Sequence, residues 1–106
     1  MKVPAYTPRS TAADVKRAVS PADFYAAELP TMPAARKGGW VNGGLCPFHA
    51  DNRPGSFFVN LDSGAYKCFS CGAHGGDVFA FLMQRDGLEF RDALDVLAEW
   101  GGTWLR

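Results

Sequence analysis

The chain has 106 residues, which allows one compact domain and excludes a second, catalytic one. Apolar residues make up 47% and charged residues 21%, values of a soluble globular chain that exclude a disordered or collagen-like one. Eleven Lys and Arg balance eleven Asp and Glu, which removes overall charge as an argument for a nucleic-acid partner.

The two signs are unevenly spread. Residues 1–75 carry eight basic against five acidic side chains, and residues 76–106 three against six, so the front is mildly basic and the back mildly acidic. Residues 1–10, with Pro4 and Pro8 and little apolar content, are expected to form a flexible arm ahead of a single domain over 11–106. That start lacks the hydrophobic stretch of a signal peptide, and no run approaches the roughly 18 apolar residues that span a bilayer. A cytoplasmic protein without a membrane partner is expected.

Thr11, with Asp14 three residues on, predicts a capping box and a short helix through Val15 and Val19. Ser20 as N-cap, Pro21 at the first helical position and Asp23 in the first turn predict a second helix. It carries Phe24 and Ala27 on one side and stops near Pro30. Residues 30–39, with Pro30, Pro33, Arg36, Lys37, Gly38 and Gly39, read as a basic loop. Short β-like pieces follow at residues 40–45, 56–61 and 65–69. Turn residues such as Asn42-Gly43-Gly44 and Asp62-Ser63-Gly64 separate them, and together they predict a small antiparallel sheet. Helical periodicity returns over residues 77–85, with Asp77 as N-cap, Val78, Phe79, Phe81, Leu82 and Met83 apolar, and Gly87 as the breaker. A last helix spaces Phe90, Ala93, Leu94 and Leu97 at i, i+3, i+4 and i+7 and ends at Gly101-Gly102. The expected fold class is α+β: N-terminal helices, a small antiparallel sheet and a C-terminal helical hairpin.

Three cysteines are an odd number that disulfides cannot use up, and a reducing compartment disfavours disulfides in any case. A short chain with twelve Gly and seven Pro builds only a small core and gains from a metal staple. Cys46-Pro47-Phe48-His49 is followed, after eighteen intervening residues, by Cys68-Phe69-Ser70-Cys71. Each pair has ligand–x–x–ligand spacing, which lets one tight turn present two side chains to one ion. Cys46, His49, Cys68 and Cys71 then form a closed Cys₃His set for one structural zinc, with no position left for a catalytic water. The competing readings are cysteines acting as small buried hydrophobes and a redox pair at Cys68 and Cys71, which needs a βαβ setting this sequence does not offer. A zinc hydrolase is disfavoured because the four-ligand site is closed. His74 follows in a Gly-rich turn and reads as an exposed or outer residue rather than a ligand. Glu89, Asp92, Asp95 and Glu99 fall away from the apolar stripe of the last helix and read as its solvated face, not as a two-metal nucleotidyl-transfer centre.

These residues resemble the CHC2 zinc-finger domain at the N-terminus of bacterial and phage DNA primases. The resemblance rests on the Cys-Pro-Phe-His run at 46–49, Pro54, Ser56 and Phe57, the run from Tyr66 to Gly72, Gly75-Gly76-Asp77 opening a helix, and the Phe90, Ala93, Leu94, Leu97 helix. It covers roughly residues 11–101 and is carried most specifically by the two cysteine motifs. The family reads Pro-Ser-Phe without interruption, whereas here Gly55 intervenes. A glycine inserted in a strand predicts a bulge and leaves open which of Phe57 and Phe58 faces a ligand.

The resemblance implies a zinc-ribbon-like sheet that engages single-stranded template DNA for primer synthesis. It also implies a non-enzymatic chain whose polymerase domain lies elsewhere, and a bacterial, phage or plasmid origin. A primase polymerase domain or a replicative helicase is an expected further partner. Single strands are held by cations interleaved with aromatic faces. Arg36, Lys37, Trp40, Arg53, Phe57, Tyr66 and Lys67 supply that mixture around the expected sheet. Each of the aromatics is also an ordinary core residue, and a few surface cations ordinarily only solvate a face. The alternative function is a zinc-stapled protein-interaction module that docks a polymerase or helicase through the C-terminal helices.

Overall fold

The structure is a computed structural model and describes residues 11–34 and 38–100. The arm over 1–10, the loop cations Arg36 and Lys37, and the helix end at Gly101-Gly102 lie outside the described residues.

Local chemistry sets both N-terminal helices. In α1 (Ala12–Ala18) the Asp14 N–H donates to the Thr11 hydroxyl and the Thr11 N–H to the Asp14 carboxylate, a reciprocal capping box. In α2 (Pro21–Glu28) the Asp23 N–H donates to the Ser20 hydroxyl, and Pro21 stands in the first turn where no donor is needed. This helix buries Phe24 and Tyr25, whereas Ala27, expected beside Phe24, is exposed. A helix of about two turns has no long stripe to enforce a face, and here the residue that reaches the sheet region decides it. The Tyr25 hydroxyl donates to the Gly64 carbonyl at 2.6 Å.

Four strands, β1 (Trp40–Asn42), β2 (Phe57–Asn60), β3 (Tyr66–Cys68) and β4 (His74–Gly75), form an antiparallel sheet in chain order. β1 is shorter than expected, because the Asn42 side chain accepts the Gly44 N–H at 2.7 Å and turns the chain away. A long connection, residues 43–56, joins β1 to β2 in place of a short turn and carries the first cysteine–histidine pair. β4 has only two residues, too few for alternation to announce it. Gly55 is not a bulge within a strand: it stands in the bend before β2 with φ 125°, a value glycine adopts readily.

The pleat separates two faces. Phe57, Val59, Tyr66 and Cys68 are buried, while Phe58, Asn60 and Lys67 between them are half-buried. Residues directly opposite share a face, so the pairs Trp40–Asn60, Asn42–Phe58, Phe58–Lys67 and Lys67–His74 lay out one outer face across all four strands.

The inner face meets the helices. α3 (Val78–Asp86) starts where the Ala80 N–H donates to the Asp77 carboxylate and ends at Gly87 in the left-handed conformation, φ 68°. Its Phe81 ring stands edge-on to Tyr25, Phe48 and Tyr66 at centroid distances of 5.1, 5.4 and 5.5 Å. Such pairs add about 0.5–1.5 kcal/mol each beyond the area they bury. α4 (Phe90–Trp100) packs on α3 and α1 and buries Ala93, Leu97 and Ala98. The expected stripe is therefore rotated: Phe90 is 46% exposed and stacks on Phe79, and Leu94 is half-buried. The architecture is α+β, with helices on one face of a four-stranded antiparallel sheet.

Candidate metal centre

Two turns build the site. The first, after β1, is anchored by Phe48, whose ring stacks on Tyr66 at 5.3 Å and an interplanar angle of 15°. With that half-buried ring packed against the core, Cys46 on one side and His49 on the other are held in place, and the Phe48 N–H donates to Cys46 Sγ at 3.3 Å. The second turn continues β3. The N–H groups of Ser70 and Cys71 donate to Cys68 Sγ at 3.4 Å each, and the Gly72 N–H donates to the Cys68 carbonyl at 2.9 Å. Gly72 takes φ 83°, which a side chain would strain, so a glycine closes this turn.

The four side chains converge. One ligand atom from each of Cys46, His49, Cys68 and Cys71 lies within 4.8 Å of every other. Cys46 Sγ and Cys71 Sγ are 3.9 Å apart, as are Cys68 Sγ and His49 Nδ1. A tetrahedral ion with bonds of about 2.3 Å separates its sulfurs by about 3.8 Å, so the spacing fits zinc. It does not fit a disulfide, whose sulfurs stand about 2.05 Å apart. The set is positioned to bind one zinc ion, and its four donors fill a tetrahedron.

Burial pushes the Cys46 thiol up to about 12. Burial acts the same way on Cys68, but the N–H groups of Cys71 and Ser70 aimed at its sulfur, together with the side chains of Cys46 and Cys71, outweigh it and hold that thiol below its ordinary value. Coordination takes the cysteines as thiolates, so uptake of the ion releases protons. His74 is exposed and stays out of the cluster, its Nδ1–H donating to the Gly72 carbonyl at 3.0 Å. Asp51, which sequence reasoning missed, closes the first turn. Its Oδ2 accepts the Cys46 N–H at 2.8 Å and its Oδ1 the Arg53 N–H at 3.3 Å. The Cys46 N–H is the main cause of a carboxyl held below the usual range. An Asp two residues after a ligand, followed by Asn-Arg-Pro, is the turn signal that marks it in the sequence.

The residues proposed for DNA separate into two groups. Phe57 and Tyr66 belong to the core, 0% and 1% exposed, and the Tyr66 hydroxyl donates to Gln84 Oε1 at 2.7 Å. Rings so placed offer no face to a base, which corrects that assignment. Trp40 and Lys67 instead lie on the outer face, where they line a cleft of about 290 Å³ with Phe58 and Phe69. Trp40 is 55% and Phe69 69% exposed, the Phe58 and Phe69 rings meet at 5.9 Å, and the Lys67 ammonium sits 5.3 Å from the Phe69 centroid. Phe69, which follows a ligand in the turn, is not singled out by the sequence; the sequence leaves Phe58 open against Phe57, and the structure turns Phe57 to the inner face and Phe58 to the outer one. Arg53 is exposed in the bend before β2. Glu89, Asp92 and Glu99 are exposed and Asp95 is half-buried along α4.

The model of the CHC2 zinc finger family matches residues 32–104. The DNA primase of Borreliella burgdorferi is 48% identical over 66 residues, 62% of this chain and 12% of that protein. The DNA primase of Halalkalibacterium halodurans is 39% identical over 92 residues, 87% of this chain and 14% of that protein. The chain thus spans about an eighth of the length of these curated relatives. Among solved structures, the Aquifex aeolicus primase, crystallised as zinc binding and RNA polymerase domains, superposes with a TM-score of 0.64. The match is 27% identical and covers 85% of this chain and 21% of that one.

Proposed function

The chain belongs to the CHC2 zinc finger family, and from that membership we propose that it is the template-recognition module of a DNA primase, holding single-stranded DNA on the outer face of its sheet. The observation that carries this reading is the cleft that Trp40, Phe58, Lys67 and Phe69 line, with the Lys67 ammonium over the Phe69 ring. Exposed aromatic faces grouped with a cation are costly to leave in water and suit a strand of stacked bases with charged phosphates alongside. The aliphatic stem of Lys67 rests among the rings while its charge remains available to a phosphate. Arg53, exposed in the bend before β2, is a further cation for the backbone. With zinc bound, the two turns are tied at one point, which holds β3 and the Phe69 turn rigid beneath the bases.

The module is not itself an enzyme. Among the described residues the converging group of His, Cys, Asp or Glu is the zinc set, whose tetrahedron is full. Nucleotide joining falls to a polymerase domain on the same or another chain, and the site of work is the bacterial cytoplasm. A second reading, protein docking, is favoured by Phe90 and Val96, 46% and 43% exposed on α4.

Fluorescence anisotropy of a labelled single-stranded oligonucleotide, titrated with the zinc-loaded chain at two salt concentrations, separates the two. DNA recognition gives binding that weakens steeply with salt and is lost with Trp40→Ala and Lys67→Ala combined. Absence of binding at low salt overturns the reading in favour of docking.

A further inference from the structure

We infer that Asp51 is a positioning residue for the metal, orienting the His49 imidazole so that Nδ1 faces the three sulfurs and setting zinc affinity through that ring. The two ring nitrogens of His49 look in different directions: Nδ1 is 3.9 Å from Cys68 Sγ, and Nε2 is 3.8 Å from Asp51 Oδ1. An imidazole that gives its Nδ1 lone pair to a metal keeps its proton on Nε2, and that polarised N–H needs an acceptor. At 3.8 Å the Asp51 carboxylate stands just beyond hydrogen-bond length from that nitrogen, and its side chain is 10% exposed, so water competes little for the contact. The carboxylate is also immobilised. Oδ2 holds the N–H of the ligand Cys46 at 2.8 Å, and Oδ1 accepts the Arg53 N–H at 3.3 Å with one lone pair and keeps another for the ring. One side chain therefore holds the backbone of one ligand and stands beside the ring of a second, in the part of the β1–β2 connection that forms bends and turns rather than strand. The inference rests on the zinc site and not on the DNA reading.

Asp51→Asn isolates the ring contact. The amide keeps a carbonyl oxygen for the Cys46 N–H but sets an NH₂ donor against the His49 Nε2–H. Competition with a chromophoric chelator is expected to show zinc affinity about 10–100-fold weaker than in the parent. At saturating zinc the variant is expected to keep the parent's far-ultraviolet circular dichroism. The readout that a merely structural role would not move is the NMR signal of His49: a slowly exchanging Nε2–H in the zinc-loaded parent that exchanges fast in Asp51→Asn. Unchanged zinc affinity in Asp51→Asn overturns the inference. So do ring nitrogen shifts showing that His49 of the zinc-loaded parent coordinates through Nε2. If the variant does not fold at saturating zinc, the parent spectrum alone decides: Nδ1 coordination with a protected Nε2–H supports the role, and its opposite removes it.

Discussion

Tyr66 and Lys67 are neighbours in β3, and the pleat sends one into the aromatic core and the other to the outer face. The same division holds at Phe57 and Phe58 in β2, so single substitutions along these strands fall into two classes with opposite readouts. Phe57→Ala empties a site that is 0% exposed and is expected to cost about 3–5 kcal/mol of stability, read from urea unfolding of the zinc-loaded chain. Trp40→Ala and Phe69→Ala remove rings that are already largely exposed and should leave unfolding unchanged. Their expected effect is a loss of about 1–3 kcal/mol in single-strand affinity with the salt slope preserved, because stacking releases few counterions. Lys67→Ala reverses that signature: the logarithmic salt slope falls by about 0.7 for a lost single-strand phosphate contact, and stability stays within about 0.5 kcal/mol. Oligonucleotide titration of all four variants across a salt series checks the division. Parent-like binding by Trp40→Ala, Phe69→Ala and Lys67→Ala together would remove the outer face from the DNA site.

The three residues of β3 show how much one short element carries here: Tyr66 fills the core, Lys67 faces outward and Cys68 is a ligand. Nothing this short is stable by propensity, so its persistence depends on the ion. Zinc binding to such sites is worth about 10–16 kcal/mol near pH 7, against a net stability of about 5–15 kcal/mol for an ordinary domain. Cys46→Ser, Cys68→Ser or Cys71→Ser is therefore expected to lose zinc and sheet structure together, read by elemental analysis and circular dichroism. Retention of one zinc with an intact sheet in any of them would contradict the ligand set. The legibility of these elements in the sequence follows from how locally each is determined. The starts of α1, α2 and α3 are written in adjacent residues, Thr11 with Asp14, Ser20 with Pro21, and Asp77, and they fold as read. The ligand pairs are equally local, since each spans a single turn. What was not legible depends on distant partners: Tyr25 rather than Ala27 turns inward because Gly64 waits for its hydroxyl. The inward turn of Phe57 rather than Phe58 is fixed by pairing with Cys68. Asp51 differs from these, for its partners Cys46 and Arg53 lie within five residues and the Asp-Asn-Arg-Pro turn marks it in the sequence.

At the scale of the molecule, zero net charge conceals a division between a mildly basic stretch over residues 1–75, which holds the outer face, and an acidic stretch over residues 76–106, which contains α4. The acids of α4 decide whether this chain could make primers unaided. Two-metal nucleotidyl transfer needs carboxylates converging on ions about 3.5–4 Å apart. Asp92 and Glu99, seven residues apart in one helix, stand about 10 Å apart along its axis and are exposed to solvent. Among the described residues, the converging group able to hold a metal is the cysteine–histidine set. The zinc-loaded 106-residue chain is therefore expected to make no primer from ribonucleotides, template and magnesium, however well it binds the template. Added to a primase polymerase domain lacking its own zinc module, it should raise primer yield, and the gain should disappear with Trp40→Ala and Lys67→Ala while surviving Asp92→Asn and Glu99→Gln. Labelled primers resolved on a denaturing gel report both halves of the test. Primer made by the chain alone would place chemistry in these residues that their spacing does not support. Primer yield sensitive to the α4 acids but indifferent to the outer face would make this a docking module, acting on the polymerase through its helices rather than on the template through its sheet.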